Sequence, residues 1–120
     1  MEQVSVINTI IVPAGMEAIA EQVRNDYVAY FSQQAGFVSS TFYKSIHRES
    51  DNAIRYVNTV VWASYAHFQQ VVNKGFDNAE GENSDGRKVL GKGFPEPIQV
   101  MPGQYVVISQ NNSDIFSQTD

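Results

Sequence analysis

Apolar and polar residues alternate near the start of the chain, which is typical of a β-strand. Between Val4 and Val12 the apolar side chains recur mostly at every second position, so they gather on one face of an extended segment. Pro13 and Gly15 end the pattern, because both residues favour turns. We therefore predict a first strand over Val4–Val12, whose main apolar face consists of Val4, Val6, Ile10 and Val12.

The next stretch, MEAIAEQVRNDYVAYFSQQAG, changes to the spacing of a helix. Its apolar residues recur at i, i+3, i+4 and i+7, which predicts an amphipathic helix. Gly36 is expected to cap its C-terminus, because glycine adopts a left-handed conformation without a steric penalty. The predicted inward face consists of Met16, Ile19, Ala20, Val23, Tyr27, Tyr30 and Phe31.

Two further strands and a second helix follow. FVSSTFYKSIH and the segment Ile54–Trp62 alternate well enough for strands, and the polar turn RESDNA between them predicts a hairpin. Ser64 is expected to cap the second helix. The stretch Asp77–Gly93 is polar and glycine-rich, so we predict a long loop or a frayed helix end there. The apolar stripe of the second helix is expected to contain Tyr65, Phe68, Val72 and Phe76.

The last apolar segment, PIQVMPGQYVVISQ, predicts a fourth strand, broken or bulged at Pro102-Gly103, or two short strands. The order strand, helix, strand, strand, helix, strand predicts an α+β, ferredoxin-like antiparallel sheet with both helices on one face. We expect one domain over residues 1–110. The polar segment 111–120 is expected to be a tail that is mobile or docked on a partner.

The other face of this sheet is also apolar, since Ile7, Ile11, Val57 and Val61 point away from the helices. Burying an aliphatic side chain contributes about 1.5–3 kcal/mol, so exposure of several would forfeit much folding free energy. A bare apolar face also invites aggregation. We therefore predict a homodimer packed sheet against sheet.

Composition and charge exclude several classes of protein. The 120 residues include no cysteine, which rules out disulfides and cysteine-ligated metals. The formal charge is −5 and the eight basic residues are scattered, so nucleic-acid binding is not expected. The N-terminus lacks the basic segment of a signal peptide, and no apolar run approaches the roughly 20 residues of a membrane span. We expect a cytoplasmic protein without membrane contact.

Three segments together resemble the antibiotic biosynthesis monooxygenase family. They are INTIIVPAG, QQAGFVSSTFYKS and YVNTVVWASYAHF, and the similarity runs from about Val4 to Phe76. The resemblance implies a dimeric α+β barrel with a pocket between helices and sheet in each subunit. One branch of the family oxidises phenolic or quinol-type aromatics with O2 and uses neither metal nor flavin. A second branch binds and degrades haem.

Asn58 and Trp62 are the leading candidate catalytic residues. They lie four residues apart on one face of the third strand, and the resemblance implies that this face lines the pocket. Amide and indole N–H groups aimed at a developing oxyanion would lower the reaction barrier. The alternative is that Trp62 is a core aromatic and Asn58 a satisfied polar neighbour.

The remaining candidates are assigned to proton transfer and substrate binding. His67 is a candidate general base, because imidazole titrates near neutral pH; a boundary position on the helix is the alternative. Where the resemblance implies a tyrosine six residues after Trp62, this chain has Phe68. The expected substrate-binding residues are Asn8, Tyr27, Tyr56 and Phe68.

Three functions remain open at this point. The first is a cofactor-independent monooxygenase acting on a small phenolic or quinol substrate, with no metal or cofactor. The second is a non-catalytic dimer that binds a small aromatic or apolar ligand. The third is a haem-binding or haem-degrading protein, although the stretch FDNAEGENSDGRK, where that branch has its iron-ligating histidine, contains none, and His67 lies too close to Trp62 to match.

Overall fold

The computed structural model describes residues 2–72 and 94–113, which form a sheet and two helices. The elements are β1 (Val4–Val12), α1 (Glu17–Phe31), β2 (Phe37–Arg48), β3 (Ile54–Trp62), α2 (Tyr65–Val72), β4 (Gln99–Met101) and β5 (Gln104–Tyr105). The predicted loop 77–93 and the tail beyond residue 113 lie outside the described residues.

The strands form an antiparallel sheet in the order β2-β3-β1-β4, and β5 also pairs with β1. This is the predicted ferredoxin-like arrangement. The interruption at Pro102-Gly103 divides the last strand into two short ones, as one of the sequence alternatives predicts. In the centre of the sheet Asn8 pairs with Asn58, and Asn58 pairs on its other side with Phe42.

Both helices pack on the same face of the sheet. Their buried side chains join the inward residues of β1 and β3 in two separate apolar clusters. Cluster one consists of Val4, Val6, Tyr27, Tyr30, Phe31, Val60, Trp62, Phe68 and Val71. Cluster two consists of Ile10, Val12, Ala20, Ile54, Tyr56 and Ile98. The predicted inward face of the first strand is thereby confirmed.

The structure corrects two predictions for the first helix. Ile19 is 46 % exposed, because it lies to one side of the stripe that Ala20 and Tyr27 form against the sheet. Gly36 has a positive φ of 89°, but it caps no helix. α1 ends at Phe31, after which Gln33 and Gln34 donate turn hydrogen bonds back to the carbonyls of Tyr30 and Phe31.

The second helix begins as predicted and differs in its buried face. The Ser64 hydroxyl accepts a hydrogen bond from the backbone N–H of His67 (3.2 Å), which is the geometry of an N-cap. Phe68 and Val71 enter cluster one, whereas Tyr65 is 46 % exposed. The buried stripe therefore follows i, i+3 from Phe68. The predicted contribution of Phe76 lies outside the described residues.

The outer face of the sheet is apolar and carries no helix from the described part of the chain. Tyr43, Met101 and Tyr105 are each at least half exposed there, beside four aliphatic side chains that are half-buried: Ile7, Ile11, Val57 and Val61. Among the described helices, neither is long and apolar enough to cross a membrane.

The contact between Gly36 and His67 gives a test of the fold. Gly36→Ala should destabilise the protein more than Gly15→Ala, although both glycines have positive φ (89° and 95°). A methyl group at Gly36 would overlap the ring of His67, whereas one at Gly15 meets nothing within 4 Å. Backbone strain should cost each variant about 1–2 kcal/mol. Steric overlap should add about 1–3 kcal/mol at Gly36 alone, as measured by urea unfolding.

A second substitution separates the two causes. Measured against His67→Ala alone, the further substitution Gly36→Ala should cost only the backbone strain, because the ring that it would overlap is gone. Equal losses of unfolding free energy for the two single glycine variants would contradict the packing described.

Candidate active site

A cavity of about 570 Å³ lies between α1 and the inner face of the sheet. This volume is in the range of small-molecule sites. A hollow of similar size, about 590 Å³, lies between the N-terminal residues, α2 and β5, but it is a groove wide open to solvent. The described residues that line the cavity are Val6, Asn8, Ile10, Arg24, Tyr27, Phe31, Asn58, Val60, Trp62, Phe68, Phe94, Glu96, Ile98, Val100, Pro102 and Gln104.

Two asparagines lie side by side in the floor of this cavity. Asn8 on β1 and Asn58 on β3 are direct partners in the antiparallel register, so their Cβ atoms are separated by roughly 4.5–5.5 Å. Asn58 is buried, with 7 % of its surface exposed. Buried amides are costly unless they are hydrogen-bonded. The partners of the two asparagines therefore determine which donors and acceptors remain for a ligand.

The partner of Asn58 is Arg24, which reaches down from α1. The Nε–H of Arg24 donates to Oδ1 of Asn58 (2.9 Å), and an Nη2–H donates to the Ser40 hydroxyl (3.3 Å). The guanidinium carbon lies 4.8 Å from the ring centroid of Phe42, within the range of a cation–π interaction. Because the bond from Arg24 occupies the amide oxygen, Asn58 is left with its NH2 group to donate.

Asn8, Arg24 and Asn58 form what we call the polar triad, and it separates the two apolar clusters. On β1, Asn8 stands between Val6 of cluster one and Ile10 of cluster two. On β3 and on α1 the polar residue is flanked in the same way, Asn58 by Val60 and Tyr56, and Arg24 by Tyr27 and Ala20. The core is therefore divided at the level where the cavity lies.

One buried polar atom of the polar triad lacks a partner among the described residues. Oδ1 of Asn8 is shielded from solvent and accepts no hydrogen bond from residues 2–72 and 94–113. A buried acceptor without a partner costs free energy, about 1–3 kcal/mol, and functional sites are where such costs are found. The floor thus combines a vacant acceptor on Asn8 with donors on Asn58 and Arg24.

Trp62, the second candidate catalytic residue, also lines the cavity, but most of its ring is packed. It is 1 % exposed and makes edge-to-face contacts with Phe31 (5.7 Å) and Phe37 (6.0 Å). Tyr27 and Phe68, both expected to bind substrate, lie in the same wall and belong to cluster one. The structure therefore brings five of the predicted site residues together: Asn8, Tyr27, Asn58, Trp62 and Phe68.

Tyr56, predicted to bind substrate, is not among the described residues that line the cavity. Its hydroxyl donates to Oε2 of Glu21 (2.6 Å), and its ring stacks on Phe42 with centroids 4.9 Å apart. Burial, and then the hydrogen bond to Glu21, raise the pKa of the Tyr56 phenol above its usual value. The phenol stays protonated, and its ring packs against Phe42.

His67, the candidate general base, also lies away from the described cavity lining. Its Nδ1 is 2.7 Å from the Ser64 hydroxyl, and its ring covers the space beside Gly36. The described contacts of the imidazole are with Ser64, before α2, and with the space beside Gly36, before β2, and His67 is not among the described residues that line the cavity. Its position corresponds to the boundary role that was the alternative.

Among residues 2–72 and 94–113, no group of three or more His, Asp or Glu side chains is arranged to hold a metal ion. Glu96 is the carboxylate in the described lining of the cavity, and it is exposed. Both histidines of the sequence, His47 and His67, lie outside that lining.

Sequence reasoning missed Arg24, although the pattern contained a signal. Ala20, Arg24, Tyr27 and Phe31 recur at i, i+4, i+7 and i+11, so Arg24 lies within the apolar stripe of α1. A charged residue on the buried face of an amphipathic helix requires a partner. Asn58, which is out of place on a core strand, is that partner.

Comparison of the structure with solved proteins agrees with the fold and with the resemblance. A candidate monooxygenase from Shewanella loihica PV-4 superposes with a TM-score of 0.67 at 26% identity, covering 91% of this chain and 97% of that one. A candidate antibiotic biosynthesis monooxygenase from Bacillus cereus gives 0.66 at 16% identity, covering 94% and 100%.

Two further structures carry more specific descriptions. SnoaB from Streptomyces nogalater, described as a cofactor-independent oxygenase, gives a TM-score of 0.56 at 20% identity, covering 92% and 97%. A dimeric ferredoxin-like protein from an uncultured marine organism gives 0.62 at 13% identity, covering 92% and 100%. No family model and no curated protein matches the sequence.

The structural neighbours of this chain are thus antibiotic-biosynthesis-monooxygenase-type proteins with a ferredoxin-like fold. Most of these identities are below 25%, at which likeness establishes the fold. Function must be argued from the site itself.

The assignment of Tyr56 to support rather than to substrate binding can be tested. Tyr56→Phe should lower the free energy of unfolding by about 1.5–3 kcal/mol, the value of a hydrogen bond to a charged group. Affinity for any cavity ligand should stay within twofold of the wild type. Tyr65→Phe, at a tyrosine that is 46 % exposed, is the matched control and should leave stability unchanged. Unchanged stability with impaired ligand binding in Tyr56→Phe would place the phenol in the site instead.

Proposed function

We propose that this protein is a cofactor-independent monooxygenase that oxidises a small phenolic or quinol-type aromatic with O2. The observation that carries the proposal is the polar triad at the floor of a cavity whose walls are mostly apolar. An aromatic ring fits the apolar walls, and an ionised oxygen fits the donors of Asn58 and Arg24. The monooxygenase descriptions of the neighbours support the same class of reaction.

The proposed reaction needs no electron carrier, because the substrate supplies the electrons. A phenol or anthrone loses a proton, and the carbanion character of the anion lets a ring carbon add O2. The peroxide then loses water and leaves a carbonyl, so one oxygen atom enters the product and the other leaves as water. Donors that stabilise the oxyanion lower this barrier, by roughly 2.7–4 kcal/mol for a single donor in other enzymes.

A second candidate function, non-catalytic binding of a small aromatic ligand, is favoured by one observation. Phe68 lines the cavity where the resemblance implies a tyrosine, so the wall offers no hydroxyl at that point. Melting shifts with a ligand but without turnover would identify such a protein. Haem degradation fits the site poorly, because neither histidine of the chain lines the described cavity.

We further propose that the chain works as a homodimer, with the outer faces of two sheets packed together. The apolar outer face described above supports this, since exposed apolar surface of that extent marks an interaction site. The description of a neighbour as dimeric supports it independently.

Oxygen uptake with a panel of quinols and anthrones tests the enzymatic proposal. Asn58→Ala should lower kcat about 10²–10³-fold, the cost of removing one oxyanion donor. Trp62→Phe keeps an aromatic ring in the packed wall but removes the indole N–H together with part of the ring, and it should also lower kcat. Asn25→Ala, at an exposed asparagine of α1, is the matched control and should behave as the wild type. Equal rates in all four proteins would remove Asn58 and Trp62 from the mechanism.

Size-exclusion chromatography with light scattering tests the dimer. At low micromolar concentration the wild type should have twice the mass of the chain. Val57→Lys, on the outer face of β3, should give the mass of a single chain, because a lysine would be buried in the interface without a partner. Ile19→Lys is the matched control on exposed α1 surface and should remain dimeric. A wild type with the mass of one chain would overturn the proposal.

A further inference from the structure

We propose that the cavity selects ligands bearing a negatively charged oxygen on an aromatic body, and that Arg24 is the residue that selects them. The inference rests on the proposed function in taking this cavity as the substrate site. It adds the ionisation state of the substrate: a phenolate-type anion that is bound already deprotonated.

The first argument is that the charge of Arg24 has no counter-ion among the described residues. The three ion pairs within residues 2–72 and 94–113 join other side chains, Lys44 with Glu21, Arg48 with Glu17 and Arg55 with Glu49. Arg24 is half-buried, and its burial lowers the pKa of the guanidinium below the ordinary arginine value. Arginine nevertheless remains protonated in proteins. A partly buried positive charge is stabilised by an anion, and the cavity is open to one from outside the chain.

The second argument is the number of donors that remain. A guanidinium has five N–H groups in a planar fork, and the described residues accept from two of them, through Asn58 and Ser40. The remaining N–H groups are therefore available to a ligand in the cavity that Arg24 lines. Such a fork suits oxyanions, which accept shorter and stronger hydrogen bonds than neutral groups.

The third argument is that Arg24 is held in place before a ligand arrives. Phe42 lies beneath its guanidinium, Tyr56 stacks behind Phe42, and the Tyr56 hydroxyl is anchored on Glu21. A donor that is fixed in advance loses little freedom on binding. These same contacts are what a purely structural arginine would make, so the test needs a readout that packing alone would not move.

Asn8 and Glu96 complete the electrostatics of the cavity. Oδ1 of Asn8 is an acceptor without a described donor, so it does not attract a negatively charged oxygen. Glu96, the other charged residue in the described lining, is exposed and would repel an anion. Anion selection must therefore come from Arg24, and Glu96 offers a control of opposite charge in the same wall.

The experiment uses para-nitrophenol, whose phenolate absorbs visible light, and para-nitroanisole, its neutral methyl ether. Wild-type protein should bind the phenolate at least about tenfold more tightly than the ether. By linkage, a tenfold preference for the phenolate over neutral para-nitrophenol lowers the pKa of bound para-nitrophenol by about 1, which the absorbance reports directly. This measurement needs no variant.

Arg24→Gln should weaken phenolate binding about tenfold or more and leave binding of para-nitroanisole unchanged, which also shows that the cavity has folded. Arg24→Lys should retain part of the preference, because it keeps the charge and loses the fork. Glu96→Gln should bind the phenolate as well as the wild type or better. A wild type without preference for the phenolate, no phenolate binding at all, or equal preference in Arg24→Gln would each overturn the inference.

The outcomes separate this inference from the proposed function. Anion-selective binding that depends on Arg24, without oxygen uptake from any quinol, would keep the inference and reject the monooxygenase. Oxygen uptake, together with equal binding of charged and neutral ligands, would keep the monooxygenase and reject the inference.

Discussion

The hydrogen bond between Arg24 and Asn58 is the interaction on which the interior of this protein depends. It joins α1 to the central strand β3 at 2.9 Å, at the level where the core changes from one apolar cluster to the other. Without it, the buried oxygen of Asn58 would lose its described donor and the guanidinium would keep only Ser40 and Phe42, and a buried polar group without a partner is costly. With it, the amide is oriented and the guanidinium is held over the cavity. The same hydrogen bond thus holds α1 on the sheet and orients two residues of the candidate site.

Most of the architecture follows from the sequence because it depends on periodicity. The inward face of β1, the β2–β3 hairpin, the Ser64 cap and the break at Pro102-Gly103 are each determined by local pattern or by turn chemistry. The two wrong predictions, for Ile19 and Gly36, also concern local features of the chain. Ile19 fits a 3.6-residue period but lies at the edge of the stripe, and Gly36 has the positive φ of a cap in a turn that follows the helix end. Periodicity determines which face is buried but not where a stripe or a helix stops.

The candidate site is harder to infer, because it is assembled across three elements. Strand parity is enough to bring Asn8, Asn58 and Trp62 to the face below the helices. The role of Arg24 depends on how α1 is rotated against the sheet. Tyr56 shares the parity of Asn58, yet its hydroxyl is drawn to Glu21. His67 follows the apolar stripe of α2 closely but packs on Gly36. The spacing of one segment can show that a charged residue such as Arg24 lies on a buried face, but it does not show which distant side chain is its partner.

The division of the core into two clusters implies a compromise between stability and ligand choice. A continuous apolar layer from Val6 to Ile10, with aliphatic residues in place of the polar triad, would bury more hydrocarbon and leave no acceptor unpaired. Natural chains seldom stand at their stability optimum where a site requires otherwise. Drift toward hydrophobic residues at positions 8, 24 and 58 would therefore be expected to yield a sturdier protein with a closed, inert interior. Selection for ligand binding would therefore be needed to keep the polar triad and its cavity.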